Sequence, residues 1–244
     1  MSEPLAEDLE ETVRRADPDR WLAGRFIADA DARADVTALY AFDHVLARVP
    51  VMVSEPLMGE IRLTWWREAL DEIYAGASVR SHPVALALAQ AVRRHGLDRA
   101  PLDDLIEARL GDLDAAPFTD EAEAVAYADM TAGALMQAAA QSLGAAANFG
   151  PAKLAGRAYG LSLLAHRRAI GGRTRLGEAV TPERVRALVS EALAGARGGL
   201  KALPLAAFPA TAYACLARRY ARGAHMTVLE KQLRLVWAAA SGNV

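Results

Sequence analysis

One cysteine, Cys215, is all the thiol chemistry this chain carries. A lone thiol excludes an internal disulfide and fits a reducing compartment. It lies in Ala212-Tyr213-Ala214-Cys215-Leu216-Ala217, an apolar setting that suits a small buried hydrophobe better than a catalytic nucleophile. Neither sign of charge is in excess. Lys+Arg number 28 against Asp+Glu 30, a formal net charge of −2, so no basic field exists to hold nucleic acid non-specifically. No uninterrupted apolar stretch is long enough to span a bilayer, which leaves peripheral contact as the form of any membrane association. The acidic start, residues 2–11, lacks the apolar segment of a secretory signal. A cytoplasmic location is expected.

What remains is a globular composition. Hydrophobic residues make up 53% and charged residues 24% of 244, enough for one large domain, 1–244, with a continuous core. Heavy use of Ala, Arg and Leu suggests a bacterial genome rich in G and C. Strand signals are almost absent; Gly and Pro punctuate a series of helices. Asp17-Pro18-Asp19 reads as a cap before Trp21 and Phe26. Leu39, Phe42, Leu46 and Val49 form a helical stripe within 35–49. Ser54-Glu55-Pro56 reads as a start with Ser54 as N-cap. In the helix to Ala75, Leu57, Ile61, Trp65 and Ile73 line one side. Leu63, Trp66 and Leu70 widen the apolar face, so this helix is expected to be largely buried. Pro83 and Pro101 open two more helices, the first ending at His95-Gly96. Thr119 is read as the cap of one long helix to Leu143, stopped by Gly144. Pro151 begins a helix to Ile170, ended by Gly171-Gly172. Thr181-Pro182-Glu183 starts a helix that meets Gly198-Gly199. Helices over 206–221 and 227–240 complete an all-α bundle of mostly antiparallel helices.

Several segments carry a resemblance. Leu39-Tyr40-Ala41-Phe42 is followed by Trp66-Arg67-Glu68-Ala69-Leu70 and Ile73-Tyr74-Ala75-Gly76. Then come His82-Pro83-Val84, the run 91–97, and Tyr127 with Ala132-Gly133. In this order and spacing, over about residues 17–200, the chain resembles the squalene/phytoene synthase family. The resemblance implies an isoprenoid-synthase-like helical fold. Those enzymes join two prenyl diphosphates. Two aspartate-rich motifs on facing helices hold Mg²⁺ ions, which bind the diphosphates and neutralise the leaving group.

Placed on that pattern, the first motif falls at Ala47, Arg48 and Val51, and the second at Arg167 and Gly171. None is a carboxylate, and two are cationic. An arginine repels Mg²⁺ and cannot coordinate it. Asp43 is the only acid near the first position, and residues 156–177 contain none. The run Ala41-Phe42 through Val49, with Val53-Ser54-Glu55-Pro56-Leu57-Met58-Gly59, resembles the family's non-catalytic branch, known for a mitochondrial assembly factor of respiratory complex I. Arg109, Asp112-Leu113 and Tyr127 are compatible with it. That branch implies no metal, no cofactor and no catalytic residue. It implies protein partners among complex I subunits or assembly intermediates, at the inner face of the inner membrane.

Other constellations have two readings each. Glu68 and Glu72 with Asp71, and Asp103 and Glu107 with Asp104, have spacing open to a divalent ion. Their plainer reading is the solvated face of a helix, paired with Arg67 and Arg109. The five histidines, His44, His82, His95, His166 and His225, show no zinc spacing. The basic run 166–175 includes Arg167, Arg168, Arg173 and Arg175. It reads either as cations at a helix C-terminus or, with Arg48 facing the same cavity, as a site for a phosphate or an anionic lipid. Trp65-Trp66 reads as packing. A persisting cavity would admit an isoprenoid or lipid. The alternatives to a non-catalytic protein are thus a prenyltransferase with unorthodox ligands and an isoprenoid- or anionic-lipid-binding protein.

Overall fold

Helix starts are where local sequence and structure agree best. The computed structural model describes residues 3–114, 116–145 and 149–242, with side chains from Leu9 onward; the acidic residues 2–8 lie outside these side chains. Helix α1 (Glu3–Ala16) leads to α2 (Pro18–Gly24), where the Asp17 carboxylate accepts from Arg20 N at 3.1 Å. Asp29 caps α3 (Ala30–Met52) by accepting from Ala32 N. Its stripe Leu39, Phe42, Leu46 and Val49 is buried. The helix runs on through Pro50, so Val51 and Met52 extend into solvent.

Helix α4 (Pro56–Tyr74) departs from expectation twice. Glu55 takes the cap position instead of Ser54, without a side-chain bond. Leu63, Trp66, Leu70 and Ile73 are buried, but Leu57 is 62% and Ile61 55% exposed. The helix is therefore half-buried, because neighbouring α3, α5 and α6 cover one side only. Helix α5 (Pro83–His95) starts at His82, whose Nδ1 accepts from Val84 N, and ends at Gly96 in the left-handed region, φ 58°. Helix α6 (Ala100–Gly111) follows.

The long helix expected from Thr119 runs unbroken from Glu121 to Ser142 but holds a π-helical turn inside it. Asp120, rather than Thr119, caps α7 (Glu121–Ala128): it accepts from Glu123 N, while the Glu123 carboxylate accepts from Thr119 N. A π-helical turn, Asp129–Gly133, then widens the ladder before α8 (Ala134–Ser142). Helix α9 (Gly150–Ala169) lies against this turn. The approach is close enough that a Cβ at Gly156 would strike the Ala132 carbonyl oxygen and the Gly133 backbone. Only glycine fits there.

Helix α10 (Pro182–Leu200), capped by Thr181, passes through Gly198-Gly199 to Leu200. The expected helix over 206–221 is broken into 3₁₀ turns around α11 (Phe208–Ala212) and α12 (Ala217–Tyr220). Thr227 caps α13 (Val228–Ser241). This last helix is fastened by one buried group. Asp19 accepts from Tyr159 Oη at 3.0 Å and Tyr220 Oη at 2.6 Å, and lies 2.8 Å from Lys231 Nζ. Leu235 and Ala238 are buried beneath α13, while Leu229, Leu233, Val236 and Trp237 are exposed on its outer side. The core joins buried side chains from α1 to α13. No helix among the described residues is long and apolar enough to cross a membrane.

Candidate functional site

Helices α2, α3, α6, α7 and α9 and the π turn enclose a cleft of about 130 Å³. Asp17, Arg20, Tyr40, Asp43, His44, Ala47, Arg109, Tyr127, Thr131, Gly160 and Arg167 are among its walls. Each gets there through helix geometry. On α3, Tyr40, Asp43, His44 and Ala47 recur three or four apart and share one face. On α9, Gly160, Leu163, Leu164 and Arg167 do the same. The widened π turn brings Thr131 and Ala132 to the wall.

The two halves of the expected site do meet here, through Ala47 from the first position and Arg167 from the second. The other positions do not. Arg48 was expected to face the cavity. It is exposed and does not line the cleft, because it sits about 100° round the helix from Ala47. Val51, 68% exposed, lies beyond Pro50 near the end of α3, and Gly171 falls in the turn after α9. The basic run disperses in the same way. Arg168 donates to the carbonyls of Val180 at 2.7 Å and Gly177 at 3.3 Å. Arg175 donates to the Ala116 carbonyl and stands over the Phe118 ring at 4.6 Å. Arg173 is exposed. Of the five arginines singled out from sequence, Arg167 alone lines the cleft.

The floor is made by residues that sequence reasoning did not bring together. Arg20 Nη1 lies 2.9 Å from both Asp17 and Asp43. Arg109 Nη2 reaches the other Asp43 oxygen at 3.0 Å, and its Nη1 reaches Asp112 at 3.1 Å and Tyr127 Oη at 2.6 Å. Tyr127 Oη donates to Asp112, and Arg175 approaches that carboxylate at 3.6 Å. Acid and arginine thus alternate across the floor. Burial pushes the Asp43 carboxyl up, but Arg109 and Arg20 outweigh it and hold its pKa below the usual range. For Asp17 burial prevails over Arg20 and the pKa is raised. Burial pushes Tyr127 up to about 12, so it stays a neutral donor. The pKa of His44 is lowered by burial and then by Arg48. Asp17/Arg20 and Arg109/Asp112 are legible in the sequence as pairs three apart. The link through Asp43 spans distant helices and leaves no local trace.

Behind the floor the volume is occupied. The Arg20 guanidinium stands 5.6–5.7 Å from the ring centroids of Tyr40, Tyr159 and Tyr213. Tyr159 and Tyr213 pack edge to face at 4.7 Å. Pockets that hold organic ligands usually run to about 300–1,000 Å³. The cleft is well below that, which counts against a long isoprenoid chain there.

The surface carboxylate pairs are also engaged. Arg80 contacts Glu68 and Glu72, Arg99 contacts Asp71 and Asp103, and Arg67 contacts Glu107. Arg109, expected to pair with these acids, turns inward to Asp43 instead. Among the described residues no group of three or more His, Cys, Asp or Glu side chains is placed to hold a metal ion.

Fold, cleft and sequence pattern together define a helical protein of the isoprenoid-synthase kind. Residues 13–185 match the squalene/phytoene synthase family, and the chain belongs to that family. Among its relatives is the protein named NADH dehydrogenase (ubiquinone) complex I, assembly factor 6. The Bos taurus form is 32% identical and the Homo sapiens form 31%, each over 134 residues, 55% of this chain and 40% of the relative. The chain therefore spans two-fifths of the length of the curated relatives it matches. A ligand-bound dehydrosqualene synthase superposes with a TM-score of 0.72 at 15% identity, covering 98% of this chain and 97% of the other. Squalene synthase HpnC from Alicyclobacillus acidocaldarius gives 0.73 at 13%, covering 98% and 94%. These likenesses establish the fold.

Proposed function

We propose that this chain is a non-catalytic member of its family that works through protein contacts in the biogenesis of respiratory complex I. The observation that carries the non-catalytic part is the state of Asp43. It lies one helical turn before Ala47, and both its oxygens are taken by arginines, Arg20 and Arg109. A divalent cation entering the cleft would meet two buried guanidiniums and would have to displace one of them to gain a ligand. The role in complex I is supported by the names of the relatives. The partners proposed are complex I subunits or assembly intermediates.

Peripheral placement at the inner face of the inner membrane of a bacterial cell belongs to the same reading. It is supported by the exposed row Leu229, Leu233, Val236 and Trp237 on α13, an aliphatic strip ending in tryptophan. Deleting the gene and measuring assembled complex I and NADH-dependent quinone reduction tests the role. Reduced assembly, restored by the wild-type gene, is expected. Normal assembly and activity in the deletion strain contradicts it.

A further inference from the structure

A second cleft lies between α10 and α12 and shares no lining residue with the first. It has a volume of about 500 Å³, within the range of organic ligand sites. Arg186 enters from α10, and Arg218 and Arg222 enter from α12 and the turn after it. Ala187, Val189, Ser190 and Ala221 complete the walls, and no acidic side chain lines it among the described residues.

Three guanidiniums converge here with a single surface acid against them. Arg80, Arg99 and Arg184, by contrast, each stand between two acids: Glu68 and Glu72, Asp71 and Asp103, Glu121 and Glu191. In this cleft Arg218 and Arg222 make no ion pair with any described residue. Arg186 touches only Glu183, which is 73% exposed, through one terminal nitrogen. Arg218 and Arg222 are four apart, a spacing at which like charges oppose each other. Cations near a helix C-terminus are favoured by the dipole. That explains one arginine in the last turn of α12. It does not explain the convergence of a third guanidinium from α10 on the same space.

We infer that the Arg186/Arg218/Arg222 cleft binds a phosphate-bearing ligand. Guanidinium forks match phosphate oxygens two at a time, and three of them around one volume suit a phosphate or diphosphate group. The small side chains Ala187 and Ala221 leave room for that group, and the volume exceeds what inorganic phosphate fills. The phosphate belongs either to a soluble ester or to an anionic lipid head group at a membrane surface.

The test uses the whole chain and two probes. Inorganic diphosphate is titrated by calorimetry, and vesicles of phosphatidylcholine with phosphatidylglycerol are used in co-sedimentation. R218Q/R222Q should weaken binding to the responsive probe by at least about tenfold, the loss of a charge-assisted contact. R167Q, which alters the other cleft, should leave it unchanged. Binding should weaken steeply with salt. Response to diphosphate alone identifies a soluble ester, and response to vesicles alone identifies a head group. Absence of binding to both probes overturns the inference. So does binding that survives R218Q/R222Q, or that is lost in R167Q. Unchanged melting temperatures in both variants verify that folding is intact.

Discussion

Asp43 on α3 and Arg109 on α6 meet at 3.0 Å although they are 66 positions apart in the chain. Each is about nine-tenths buried, and each has a further partner of opposite charge, Arg20 for Asp43 and Asp112 for Arg109. The pair therefore ties three helices, α2, α3 and α6, together at the floor of the cleft.

Asp43→Asn should be strongly destabilising. It leaves Arg20 and Arg109 buried with one carboxylate fewer, a change that costs about 3–5 kcal/mol when one partner of a buried pair is removed. Urea unfolding measures it. The pH dependence has a fixed sign: the Asp43 pKa is lowered in the fold. Its contribution is complete above the unfolded carboxylate value of about 3.9 and is lost as pH falls through the lower folded value. A loss below about 1 kcal/mol would mean the network is looser than it stands here.

Mild acid should also weaken the fold through its histidines. Burial lowers the pKa of His44, with Arg48 adding to it; burial alone lowers His82; burial, His225 and Lys231 lower His166. In the unfolded chain each titrates near about 6.5. Below that value the unfolded state takes up protons that the folded state resists, so stability falls with pH. The melting temperature should be lower at about pH 5.5 than at about pH 7.5. Replacing His44, His82 and His166 together by Gln should flatten the difference.

Gly156→Ala should lower stability by about 1–3 kcal/mol, the usual range for overpacking. The added methyl meets the backbone of Ala132 and Gly133, which cannot move aside as a side chain does. Gly24→Ala, with open space around it, is the control and should not destabilise in this way. Thermal melting distinguishes them.

Lys231→Met should loosen α13. It leaves Asp19, 3% exposed, with only the hydroxyls of Tyr159 and Tyr220. Hydrogen exchange of α13 amides should accelerate while α3 amides are less affected. Uniform acceleration across both helices would contradict a local role.

Much of the fold was legible because it rests on local rules. The stripe Leu39, Phe42, Leu46, Val49, the caps at Asp17 and Thr181, and the stops at Gly76, Gly96, Gly144 and Gly171 each follow from a few neighbouring residues. The misses have the same logic. Periodicity found the row Leu57, Ile61 but not whether any helix covers it. Thr119 and Asp120 are both good caps, and the reciprocal bond with Glu123 decided between them. At the cleft, a one-residue step separates Ala47, which faces in, from Arg48, which faces out. The neutralising role of Arg20 and Arg109 depends on α2, α3 and α6 converging, which no local pattern encodes.

Arginines hold the cleft's carboxylates, and the proposed non-catalytic role rests on their denying a metal ion its ligands. Its most direct test is diphosphate release from farnesyl diphosphate by the purified chain in the presence of Mg²⁺. No release above the rate without protein is expected, for the wild type and for Glu68→Gln and Asp71→Asn alike. Mg²⁺-dependent release by the wild type that is lost on substituting Glu68 or Asp71 would contradict it.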